Sequence, residues 1–198
     1  MTLNLGFLAS HGGSNMQAII ESCKQGMLTA IPRAVISNNS KSLALEKAKN
    51  QGIATFHVSG KTHLGDGAVD RAIVDIFKNN NVDTVILAGY MKIVSKIILD
   101  EFKGRVLNIH PALLPDFGGE GMFGLKVHEA VLKAGEKESG CTVHLVDEIY
   151  DNGRILGQSR VPVFPVDDVD SLSARVLVQE HILYSKILKE ICEGRIVL

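Results

Sequence analysis

Cysteine is scarce in this chain: Cys23, Cys141 and Cys192 stand far apart, with no C-x-x-C and no Cys/His ligand spacing. An odd, scattered set argues against a disulfide framework or a zinc site and fits reduced thiols in small apolar positions. An excess of one charge is also missing. Lysine and arginine number 21 and aspartate and glutamate 22, for a formal net charge of -1. Nucleic acid and anionic membranes therefore lose support as main partners, and an anionic substrate must be held by local groups. No apolar run approaches the ~20 residues that a membrane span needs. The opening MTLNLGFLAS has no basic stretch ahead of an apolar one and reads as a strand, not a signal peptide. The expectation is a soluble, cytoplasmic chain.

What is present is an ordinary globular balance, 45% hydrophobic and 22% charged over 198 residues. A chain of this length can bury roughly 70% of its unfolded surface without a metal or disulfide. Short β-rich runs alternate with helical patterns through the first half. Leu3–Ala9, Arg33–Ser37, Thr55–Val58, Thr84–Ala88 and Val106–Ile109 read as strands, and Asn15–Lys24, Leu43–Gln51 and Ala68–Asn79 as helices. Continuous apolar strands alternating with helices predict an α/β fold, a doubly wound and mostly parallel sheet with helices on both faces. The pattern then changes. Pro111 and Pro115 bracket a short segment, FGGEGMFG follows, and Lys126–Lys133 reads as a helix. Thr142–Val146 and Ile155–Val163 flank Asp151-Asn152-Gly153, where Asn-Gly suggests positive φ angles and an antiparallel pair. Ser171–Ile191 closes the chain as a long helix. No repeat or linker interrupts it, so one domain over 1–198 is expected, with a phosphate- and nucleotide-binding half (1–104) and a catalytic and folate-binding half (105–198).

Three places could carry chemistry. His11-Gly12-Gly13-Ser14-Asn15 lies between the first strand and helix, where glycines permit close approach, Ser14 can cap the helix, and free N–H groups favour a phosphate. A plain glycine turn with a serine cap explains the same letters about as well. The loop is neither G-x-G-x-x-G nor a Walker motif, so nucleotide cofactors lose support. Asn108-Ile109-His110-Pro111 ends the fifth strand, and ligands of open α/β sheets bind beyond such ends. Alternation sends Asn108 and His110 to one side, an amide able to meet an oxyanion beside an imidazole able to move a proton. Asp151 is either a turn former or a carboxylate that raises the pKa of His110, and His144 either joins that network or is a simple strand histidine. No paired spacing suggests a metal ligand.

With these residues assembled, the sequence resembles the phosphoribosylglycinamide formyltransferases, the folate-dependent glycinamide ribonucleotide transformylases, over essentially its whole length. The resemblance rests on Gly12–Asn15, Leu87–Met91, Asn108–Pro115, Thr142–His144, Asp151–Gly153 and Gln179–His181. It implies transfer of a formyl group from 10-formyltetrahydrofolate, as co-substrate and with no metal, to the amine of phosphoribosylglycinamide. It implies a catalytic set of Asn108, His110 and Asp151, supported by His144. Gly12, Gly13, Ser14, Asn15 and Glu180 would hold the ribonucleotide. Met91, Lys92, Ile93 and Val94, with Asn108, would line the folate site under a loop at 116–124. The partners it implies are small molecules, with room for a homodimer. Lys92 stands where relatives often have arginine, Leu177 where they are often polar, and Asp66 where a basic residue is common. The rival readings are a formyltetrahydrofolate hydrolase, whose extra N-terminal domain has no room before Leu3, a tRNA or sugar formyltransferase, and an idle phosphate-ligand sensor.

Overall fold

The computed structural model describes all of residues 1–198. Its centre is one seven-stranded sheet in the order β3-β2-β1-β4-β5-β6-β7. The strands are β1 (Leu3–Leu8), β2 (Ala30–Ser37), β3 (Ala54–His57), β4 (Thr84–Leu87), β5 (Val106–His110), β6 (Glu138–Leu145) and β7 (Ile155–Pro162). The first five pair in parallel, while β5–β6 and β6–β7 are antiparallel. The helices are α1 (Ser14–Lys24), α2 (Leu43–Asn50), α3 (Ala68–Asn79), α4 (Lys96–Glu101), α5 (Leu125–Ala134) and α6 (Val169–Cys192). None of them is long and apolar enough to cross a membrane. This is the mixed, helix-covered sheet that the alternating pattern predicts.

Burial on both faces explains the continuous apolar strands. One core packs Leu3, Leu5, Phe7 and Ile86 against Met16 and Ile19 of α1 and Tyr184, Ile187 and Leu188 of α6. The opposite core packs Leu8, Ile36 and Val85 against Ile73 and Phe77 of α3 and Ile98 of α4. Each fully buried aliphatic side chain contributes about 1.5–3 kcal/mol to this sandwich.

Several boundaries differ from expectation for identifiable reasons. Strand β2 runs back through Pro32, because a register shift between Leu5 and Gly6 accommodates the residue that lacks an N–H. Strand β6 begins at Glu138, earlier than Thr142, and Gly140 allows it: a Cβ there would lie 2.0 Å from Ser159 O on β7. Helix α4 has too few residues to show a helical period and is absent from the sequence reading. In the turn before β7, the positive φ (53°) falls on Asp151 and not on Asn152-Gly153. Gly153 is needed for close approach, since a Cβ would meet Leu145 O at 1.9 Å.

The order of the sheet reverses direction between β1 and β4. Crevices at such a switch point, beyond the carboxyl ends of the strands, are where open α/β sheets take ligands. The segments leaving β1, β4 and β5 at that edge are 9–15, 88–94 and 111–117; the first two contain the glycine loop and the 91–94 run marked in the sequence, and the third follows Asn108 and His110.

Candidate active site

Strand β5 carries Asn108 and His110 on one side, opposite β6, with Asn108 facing His144 and His110 facing Thr142 in the antiparallel register. His144 is 2% exposed and its Nδ1 donates to Leu145 O at 2.8 Å. That leaves Nε2 to accept from Asn108 Nδ2 at 3.2 Å. One amide proton of Asn108 is thereby spoken for and the other stays free for a ligand oxygen.

His110 is 3% exposed, and its Nε2 donates to Phe117 O at 2.8 Å while Nδ1 lies 3.4 Å from Asp151 Oδ2. The other oxygen of Asp151 lies 3.5 Å from His144 Nε2, and Gly119 N donates to Oδ2 at 3.0 Å. Asp151 thus sits between the two histidines. Burial pushes its carboxyl up, but His144 and His110, each when its ring is protonated, and the Gly119 N–H hold it below the ordinary value. For His110 the balance goes the other way than the sequence reading expects. Burial of the ring outweighs the pull of Asp151 and Phe117 O, so its pKa lies below the ordinary 6.5. Asp151 and Phe117 O raise it, but less than burial lowers it.

Thr142 and Gln158 hold the chain beyond His110. Thr142 Oγ1 donates to Ala112 O at 2.6 Å and accepts from Leu114 N, while Gln158 Nε2 donates to Leu114 O and to Thr142. Thr142 lies within a motif of the sequence reading without a role there, and Gln158 carries no signal in the sequence at all.

The loop after β1 forms the second part. Gly13 has φ 60° and precedes α1 as its N-cap, and a Cβ there would lie 2.7 Å from Ala44 Cβ, so only glycine fits. Ser14 is the first residue of the helix and makes no capping hydrogen bond, contrary to expectation. Asn15 turns inward, where its Nδ2 donates to Glu180 Oε2 at 2.6 Å. Glu180 is 8% exposed, and burial raises its pKa against the opposing pull of Asn15. The loop and the last helix are therefore joined at their polar ends.

The third part is the segment after β4. Ser10 links it to the first loop, donating its N–H to Gly89 O at 3.0 Å and accepting from Met91 N at 2.8 Å. Met91, Lys92 and Ile93 are exposed and Val94 is buried beneath them. Tyr184, fully buried on α6, donates to Leu107 O at 2.8 Å, immediately before Asn108. Gly12–Asn15 and Met91–Val94 thus follow β1 and β4, Asn108 and His110 end β5, His144 lies on β6, Asp151 in the turn before β7, and Glu180 on α6.

Residues 3–188 match the formyl transferase family model. The chain belongs to the formyl transferase family. This formyl transferase is 38% identical to phosphoribosylglycinamide formyltransferase of Escherichia coli (strain K12), covering 98% of this chain and 89% of that protein. It is 42% identical to the chloroplastic phosphoribosylglycinamide formyltransferase of Arabidopsis thaliana over 97% of its own length, and spans 66% of that longer protein. The crystal structure of glycinamide ribonucleotide transformylase 1 from Symbiobacterium toebii superposes with a TM-score of 0.93 at 36% identity, covering all of this chain and 91% of that one. The fold of the formyl transferase is thus that of solved transformylases throughout.

Proposed function

We propose that this chain transfers the formyl group of 10-formyltetrahydrofolate to the amine of 5-phosphoribosylglycinamide, giving formylglycinamide ribonucleotide and tetrahydrofolate in purine biosynthesis. The observation that carries this reading is the Asn108 amide. It is oriented by His144, stands beside the His110–Asp151 pair, and lies one strand from β4 and two from the loop after β1. Nominees for the ribonucleotide are Gly12, Gly13, Ser14, Asn15 and Glu180. Met91, Lys92, Ile93 and Val94 are nominated for the folate, where exposed Met91 and Ile93 suit an aromatic ring system. In this reading 1–104 and 105–198 are the two halves of one domain, the partners are small molecules, and the setting is the cytoplasm. A homodimer is part of the same reading.

The amine nitrogen attacks the formyl carbon, and the new C–N bond drives the carbonyl electron pair onto oxygen. The free Asn108 Nδ2–H donates to that oxyanion in a site where its direction is already set. Neutral His110 takes the proton lost by the amine, and Asp151 stabilises the resulting imidazolium. As the tetrahedral intermediate collapses, the bond to N10 breaks and the proton passes to N10. Atoms and charge balance without any further reactant. Mass spectrometry of the ribonucleotide product after incubation with both substrates tests the reading. A product carrying one added formyl group supports it, and unmodified ribonucleotide beside consumed folate overturns it.

A further inference from the structure

The loop after β1 is held by its carbonyl groups. His11 O accepts from Ser42 Oγ at 2.8 Å and from Ala44 N at 3.0 Å, and Gly12 O accepts from Lys47 Nζ at 2.9 Å. Ser42 is the N-cap of α2, and Ala44 and Lys47 lie on that helix. In a trans peptide the C=O and N–H point in opposite directions. Drawing the carbonyls of His11 and Gly12 onto α2 therefore turns the N–H groups of Gly12 and Gly13 away from it. The first turn of α1 adds the N–H groups of Ser14, Asn15 and Met16, none of which meets a backbone acceptor.

A second feature lies on the first turn of the same helix. Asn15 is 8% exposed, and its Oδ1 has no hydrogen-bond partner. The loop thus offers a row of donors that suits a phosphate and one buried acceptor that suits a hydroxyl. A phosphorylated sugar carries both groups.

One element is missing from a helix terminus that must hold a dianion, namely a cation. Asp66 and Leu177 supply none. Of all the ammonium and guanidinium groups in the chain, only that of Lys47 is hydrogen-bonded to any residue between 10 and 15. Its role as a mere fastener between helices is already filled, because Gln51 Nε2 donates to Gln17 Oε1 at 2.7 Å and ties α2 to α1 without it.

We infer that Lys47 is the positioning residue of the phosphate subsite: its ammonium holds the Gly12 carbonyl so that the Gly13 N–H faces the phosphate, and it supplies the positive charge beside that loop. The inference rests on the proposed reading of the loop as the ribonucleotide's phosphate site. It assigns the nucleotide's affinity to a helix that carries none of the residues nominated above, and it leaves the chemical step alone.

The test pairs kinetics with direct binding. Lys47→Met keeps the aliphatic stem and removes the charge, Lys47→Gln keeps a donor without charge, and Lys47→Arg keeps both. Gln51→Leu serves as the control that loosens the same helix pair. At saturating formyl folate, Lys47→Met is expected to raise KM for the ribonucleotide about tenfold, the scale of one charge-assisted hydrogen bond, with kcat within about twofold. Lys47→Arg recovers most of the loss, Lys47→Gln little, and Gln51→Leu leaves KM unchanged. Calorimetric binding of ribose 5-phosphate weakens in parallel, and binding of the formyl folate does not.

Each contrary result has its own meaning. Wild-type protein that fails to bind ribose 5-phosphate overturns the phosphate reading and this inference together. Wild-type binding that Lys47→Met and Lys47→Gln leave intact overturns the role of Lys47 alone. Equal losses for ribose 5-phosphate and formyl folate, or an equal effect of Gln51→Leu, show a structural fastener and also overturn it.

Discussion

Asn108 and His144 face each other across the antiparallel β5–β6 pair, 3.2 Å apart from amide Nδ2 to ring Nε2. The histidine is itself held at Nδ1 by the Leu145 carbonyl, so the direction of the Asn108 amide is set by a chain of hydrogen bonds that ends in the backbone. Removing the amide should be far more damaging than removing its support. Asn108→Ala is expected to lower kcat by about 10²–10³, the usual effect of losing an oxyanion donor. His144→Leu should cost roughly tenfold, since a misdirected donor keeps part of its value. Steady-state turnover at saturating substrates separates the two, and an unaffected His144 variant would show that the amide needs no orientation.

The pH profile follows from His110. Burial depresses its pKa below 6.5, and Asp151 opposes that depression. If the neutral ring accepts the proton, kcat/KM falls as pH drops through a midpoint below 6.5. Asp151→Asn removes the group that raises the pKa, so the residual activity should show its acid limb at still lower pH. Stability follows the same sign. The unfolded chain binds more protons than the folded one between the folded pKa and 6.5, so His110 makes the protein less stable as pH falls through that window. A midpoint that moves upward in Asp151→Asn contradicts the account.

Glu180 offers a contrast between stability and function. Its folded pKa is raised by burial, so its contribution is fully present below the ordinary carboxyl value and is lost as pH rises through the folded one. Glu180→Gln removes a buried charge while keeping a partner for Asn15. The variant should melt at a higher temperature than wild type at pH 8 and show little difference at pH 4. It should also bind the ribonucleotide more weakly. Thermal melts at the two pH values check the first half, and KM the second.

Tyr184 connects the last helix to the catalytic strand. Its buried hydroxyl donates to Leu107 O at 2.8 Å, one residue before Asn108. Tyr184→Phe should destabilise the fold by about 1–2 kcal/mol, a fall in Tm on the order of 2–8 °C for a chain of this size. Activity at 25 °C should change little, because β5 remains paired on both sides. Denaturant and thermal unfolding measure the first expectation, and an unchanged Tm contradicts it.

The sheet and its helices are legible in the sequence because burial on both faces writes itself as unbroken apolar runs such as Thr84–Leu87. The same holds for the polar strand end, where Asn108 and His110 stand out against apolar neighbours. What escapes the sequence depends on three-dimensional placement. Lys47 reads as an ordinary solvated helix charge until α2 is laid against the loop. Gln158 belongs to a strand of mixed polarity, and its grip on Leu114 O needs the β6–β7 register. Gly153 looks like half of an Asn-Gly turn, yet its reason is the Leu145 carbonyl 1.9 Å from where a Cβ would stand. The pKa of His110 is a competition between burial and a neighbouring carboxylate, and letters alone name only the carboxylate.

The central claim is tested most directly by mixing the purified protein with 10-formyltetrahydrofolate, or its 10-formyl-dideaza analogue, and following release of deformylated folate by absorbance with and without phosphoribosylglycinamide. The account predicts release only when the ribonucleotide is present, and its loss in Asn108→Ala. Equal release in the absence of the ribonucleotide would make water the acceptor and contradict the account.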